Sequence, residues 1–180
     1  MHLPTLDRLW ELSGQSRADA PAPVNGFFDQ IGLLLMHLIA PLPYAPFPHN
    51  SAIFATTGGD GVHYGFLDVG QGISEASPIV MTVPMADDAN HIVGADLTDF
   101  LRLGCRTGYL QIEQLAYSWE QFAAELDEAK PEDWAWPEAL RLLDLVTATF
   151  HLSPWPEHSA RLAFLQRSYG HLVKARPFDV

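Results

Sequence analysis

Between Thr56 and Gly65 the chain reads TTGGDGVHYG, three glycines around Asp60 and then a histidine on a strand-like run. A glycine-rich loop binds phosphate when its amides open a helix and, in the Walker form, a lysine and a hydroxyl follow. Here Gly58, Gly59 and Gly61 precede a strand-like segment, no lysine follows, and the third position of a dinucleotide fingerprint falls on Tyr64. These glycines read better as the connection of a hairpin, where they permit positive φ. His63 near Asp60 has the residue types of a general base and its carboxylate. No motif places a nucleophile beside it, which favours a polar histidine on the less apolar face of a strand. Asp87, Asp88 and His91, taken with His49, His63 and Glu75, have the donors of an oxygen and nitrogen metal site. HExxH, CxxC and EF-hand spacings are all absent, and Asp-Asp-Ala-Asn is ordinary loop chemistry. No metal and no cofactor is expected.

The remaining reactive residues form no constellation. Cys105 follows Gly104 in LGCRTG, where Arg106 would lower its pKa, yet a lone cysteine beside Leu103 reads as a small core residue. A G-x-S-x-G elbow is absent. Of the tryptophans, Trp134, Trp136 and Trp155 sit in proline-rich, acidic, loop-like stretches, and Trp10 and Trp119 lie elsewhere. Such residues either form a partner-binding patch or pin helix starts onto the core, and the sequence does not choose between the two. Arg167, Lys174 and Arg176 read as a solvated helix face.

The elements that must position these residues follow from periodicity and punctuation. A short helix is expected over Leu3 to Leu12, then a linker, GQSRADAPAPVN. Asn25 can cap a helix from Gly26 to Ile39, with Phe27, Phe28, Ile31, Leu34, Leu35 and Leu38 on a wide apolar face. Pro41, Pro43, Pro46 and Pro48 make the next stretch an extended connector. Strands are expected at Ser51 to Thr57, Gly61 to Asp68, Pro78 to Pro84 and His91 to Gly94. On the second, Val62, Tyr64 and Phe66 share one face and His63, Gly65 and Leu67 the other; the third lacks alternation and suits burial on both faces.

Beyond Gly94 the pattern turns helical. Asp96 is an N-cap and Gly104 a stop; Tyr109 to Tyr117 is a short helix; Ser118 and Gln121 have capping-box spacing before another. Pro137 opens a helix with Leu140, Leu143, Thr147 and Phe150 inward, and a last helix covers Ala160 to Val173 with Leu162, Leu165, Tyr169 and Leu172 inward. Strands segregated from helices mean an α+β fold with an antiparallel or mixed sheet. The organisation is a single domain over residues 1–180, with a helical N-terminal region (residues 1–40), a sheet core (residues 47–105) and a helical tail (residues 106–180).

Composition narrows the function classes. The net charge of −12 disfavours nucleic acid and anionic membrane surfaces, and favours a basic protein if there is a partner. Apolar residues at 48% against 18% charged place the chain among globular proteins. Cys105 is the single cysteine, the N-terminus lacks the features of a signal peptide, and Ile31 to Ala40 is too short to span a membrane. The expected location is the cytoplasm.

AIFATTGGDGVHYGFLDV, SPIVMTVP and HIVGADLTDFLRLGC together resemble the core pattern of the SUKH superfamily, which includes a fungal cell-wall synthesis regulator and bacterial toxin-immunity proteins. Phe54, Gly58 to Gly61, Asp68, Pro78 to Val80, Phe100 and Leu101 carry the likeness, which spans roughly Phe47 to Cys105. The Leu-Pro … Asn-Gly stretch usual upstream is not recognisable, and the helical tail is long. The resemblance implies a curved, mostly antiparallel sheet flanked by helices, and protein binding rather than catalysis. An immunity-like protein that binds a basic toxin is the expectation, with Asp60, His63, Asp87 and Asp88 as the binding surface. The alternative is a small-ligand or metal-binding protein or enzyme that uses His63, Asp60, Asp87 and His91.

Overall fold

The computed structural model describes residues 2–13, 28–36 and 46–175, apart from the side chain of Trp134. The expected linker and most of the proline-rich connector lie outside those residues.

Five strands follow one another as neighbours in one antiparallel sheet: β1 (Leu34–Leu35), β2 (Ser51–Thr56), β3 (His63–Leu67), β4 (Ile79–Thr82) and β5 (Asn90–Gly94). The fold is α+β, as the segregation of strands and helices predicts. The four strands expected from the sequence all form. Every residue of β4 is buried, which explains its lack of alternation. Bulges interrupt the ladder between Ile53 and Ala55 and beside Ile79.

One expectation fails. Instead of a helix from Gly26 to Ile39, residues Asp29–Ile31 make a single 3-10 turn and Leu34–Leu35 pair with Thr56 and Ala55 as β1. Gly32 closes the turn with φ +70°, and a Cβ there would fall 2.3 Å from the Leu110 amide nitrogen. Tertiary packing on Leu110 thus overrides an apolar pattern that also suits a helix. Asn25, Phe27 and Leu38 lie outside the described residues.

The helices are α1 (Pro4–Leu12), α2 (Leu97–Gly104), α3 (Trp119–Glu128), α4 (Pro131–Trp134), α5 (Pro137–Thr149) and α6 (His158–Tyr169); Leu110–Ala116 is a 3-10 segment rather than an α-helix. Asp96 caps α2 by accepting from the Asp99 amide at 2.7 Å. The Ser118–Gln121 capping box does not close: the Ser118 hydroxyl donates back to the Gln114 carbonyl, and Gln121 donates to Glu125. Helix α5 turns Ala139, Leu143 and Val146 into the core, so Leu140, Thr147 and Phe150 are only half-buried. Helix α6 buries Leu162 and Leu165.

The core is one continuous cluster reaching from Leu3 to Leu165. At its centre Phe100 of α2 packs against Phe54 and Tyr64 of the sheet and against Tyr109, with ring centroids 4.7 to 5.9 Å apart. The Tyr64 hydroxyl donates to the Tyr109 carbonyl at 2.6 Å, and the Tyr109 hydroxyl to the Leu101 carbonyl at 3.0 Å. Among the described residues no helix is long and apolar enough to cross a membrane.

Candidate functional site

Strand register decides which candidate residues meet. The β2–β3 and β4–β5 connections lie at the same end of the meander, where Thr56, His63, Thr82 and Asn90 form one transverse row. In the first connection Gly58, Asp60 and Gly61 all adopt positive φ, and the Thr56 hydroxyl donates to the Val62 carbonyl at 2.7 Å. Positive φ costs glycine nothing and is tolerated by aspartate. In the second connection Asp87, Asp88 and Met85 are exposed, Met85 to 79%. The two connections touch, since a Cβ on Gly61 would sit 3.3 Å from the Pro84 ring. One end of the sheet therefore presents Asp60, Asp87 and Asp88 together with an exposed methionine.

A fourth acid joins them. Burial and the like charge of Asp60 push the Glu113 carboxyl above its ordinary range. Base is scarce nearby in sequence: residues 18–101, which hold the whole sheet, contain no lysine or arginine. That gap is plain in the sequence. The closeness of Glu113 and the exposure of Met85 are not, because both depend on how the elements pack.

His63 and His91 do not converge. His63 lies opposite Thr82, whereas His91 lies opposite Met81, so their side chains leave opposite faces of the sheet. His63 is half-buried, holds the Gly61 carbonyl through Nδ1 and meets Phe47 edge to face. His91 is buried beneath Trp119, stacked at 5.1 Å, with Nε2 2.9 Å from the Asp88 carbonyl. Desolvation lowers the pKa of both imidazoles, opposed at His63 by Gly61 and at His91 by Asp88. Glu75 belongs to the β3–β4 connection at the far end of the sheet, where it accepts from the Thr5 amide of α1 at 3.0 Å. The His49 amide donates to the Lys174 carbonyl. Among the described residues no group of three or more His, Cys, Asp and Glu is arranged to hold a metal ion.

The lone cysteine and the tryptophans sort by burial. Cys105 is buried, and its thiol is pushed up to about 11 by desolvation despite Arg106 and Arg102. Trp10 and Trp155 are core residues, Trp119 is half-buried on His91, and Trp136 is about half exposed at 53%. Trp155 reveals a network with no sequence motif: its indole donates to Asp99 at 2.9 Å, and Arg161 donates to the same carboxylate at 2.7 Å. Comparison with protein-family models, with curated proteins and with solved structures finds no match.

Proposed function

We propose that this chain is a non-catalytic, intracellular protein-binding module of SUKH, immunity-like type that holds a basic protein against the acidic end of its sheet. The observation that carries the reading is the close approach of Gly61 to Pro84, which brings the connection bearing Asp60 against the one bearing Asp87, Asp88 and exposed Met85. Like charges at one end of the sheet, on a segment without lysine or arginine, create a potential that steers a basic partner. Met85 supplies a flexible apolar side chain for the partner to bury. His63 stands behind this surface and holds the hairpin through Gly61.

The test is retention of proteins from lysate of the source cells on immobilised chain, at low and moderate salt. The wild type is expected to retain a basic protein in a salt-sensitive way, and Asp87→Lys with Asp88→Lys to lose it while circular dichroism stays unchanged. Equal retention by the folded double variant overturns the acidic surface. Absence of any retained protein on folded wild type overturns the binding module.

A further inference from the structure

The chain leaves the acidic end along β5 and arrives at a different electrostatic setting. Four strand steps carry it about 13 Å, at roughly 3.3 Å per residue, to Gly94 at the end of β5, and α2 begins at Leu97. There Asp99, Arg102, Trp155, Glu157 and Arg161 line a groove of about 450 Å³ between α2 and the start of α6. That volume suits a small organic molecule.

The groove carries two guanidinium groups, Arg102 and Arg161, the Trp155 indole, and two carboxylates, Asp99 and Glu157. Asp99 is buried and already engaged: Oδ2 accepts from the Ala95 amide at 2.9 Å and from Arg161 at 2.7 Å, and Oδ1 accepts from the Trp155 indole at 2.9 Å. Arg102 stands 4.0 Å from the same carboxylate and donates through Nε to the Ser153 carbonyl at 2.7 Å. Each guanidinium has five N–H groups in a fixed fork, and these bonds occupy few of them. The buried carboxylate, which accepts two hydrogen bonds at Oδ2 and one at Oδ1, thus holds Arg161 in place, and Arg102 is anchored beside it. Apolar surface adjoins the donors: the Arg161 guanidinium lies 5.4 Å from the ring of Phe164, which is 48% exposed. Glu157 on the rim is exposed and makes no side-chain capping bond to α6.

We propose that this groove binds a small organic oxyanion, with the carboxylate or phosphate on Arg102 and Arg161 and an apolar body against Pro156 and Ala160. Forked donors match two oxygens of either anion. Glu157 sets a ceiling on affinity by repelling the same charge. The site stands apart from the acidic sheet end and does not depend on it.

The experiment is a nuclear magnetic resonance titration of the full chain with benzoate, phenyl phosphate, inorganic phosphate and benzylamine. The Trp155 indole N–H and the Arg102 Nε–H are the reporters. Benzoate and phenyl phosphate are expected to shift both signals saturably, and benzylamine to shift neither. Arg102→Gln is expected to weaken benzoate about tenfold, as loss of one charge-assisted pair implies. Glu157→Gln is expected to tighten it by about threefold, as removal of one exposed like charge implies. A purely structural role for the arginines would not produce the second effect. No saturable shift with either organic anion, or affinity unchanged in both variants, overturns the proposal. Inorganic phosphate binding as tightly as phenyl phosphate overturns the organic component and leaves a bare-anion site.

Discussion

His91 shows how a single register position turns a polar residue into a structural one. It pairs with Met81, faces the helical layer and stacks under Trp119, where desolvation holds its pKa below the ordinary 6.5. The sign follows directly. A histidine with a depressed folded pKa supports the fold above its unfolded value, and that support is lost as pH falls through the folded pKa. His63 and His158 are depressed in the same direction, both chiefly by burial. Urea unfolding is therefore expected to give a smaller free energy at pH 5 than at pH 8. His91→Phe keeps the stacking ring without the charge and should narrow that difference. An unchanged difference in the variant would remove His91 from the account. None of this is legible in HIVG, where His91 has only the chemistry of a metal donor; its neighbours across the ladder and in α3 decide its role.

At the scale of elements, α2 and the 3-10 segment Leu110–Ala116 are locked by shape. A Cβ on Gly104 would lie 2.3 Å from the Tyr109 ring, which is buried and tied by its hydroxyl to Leu101. Gly104→Ala is expected to destabilise the protein by about 1–3 kcal/mol, the usual penalty of overpacking. A urea midpoint equal to the wild type would show that the ring has room to move. Gly104 is legible as a helix stop, and Asp96 as a cap, because both signals are local in sequence. The four strands between residues 51 and 94 are legible for the same reason, their β-branched and aromatic runs being set off by glycine and proline. The segment before Leu35 misleads because a wide apolar stripe fits a helix or a buried turn and strand equally, and Gly32 settles it only through Leu110. The Asp99 network is invisible for a related reason: its partners Trp155 and Arg161 are 56 and 62 residues away. Asp60, Asp87 and Asp88 are legible as exposed loop acids, but their gathering at one end needs the strand register.

Across the whole molecule, the segment after α6 returns to the residues that precede β2. Asn50 donates to the carbonyls of Asp68 and Leu172 at 2.8 and 3.0 Å and accepts from the Lys174 amide at 2.9 Å, while Pro48 bridges to Ala175. One side chain thus ties β2, the β3–β4 connection and the segment after α6 together. Asn50→Ala is expected to cost about 1–3 kcal/mol, because part-buried groups lose their partners. Hydrogen exchange of the Lys174 amide should accelerate with it. Exchange at wild-type rates would mean that the Pro48–Ala175 bridge suffices alone.

The same global view gives the missing bases of residues 18–101 a practical meaning. Trypsin has cleavage points at Arg17 and Arg102 and none between, so complete digestion releases the entire five-stranded sheet as one peptide. Amine-reactive cross-linkers and lysine acylation likewise find no side chain there. A partner held at the acidic end would leave no lysine cross-link within residues 18–101, and carbodiimide coupling through Asp60, Asp87 and Asp88 is the chemistry that would record it there.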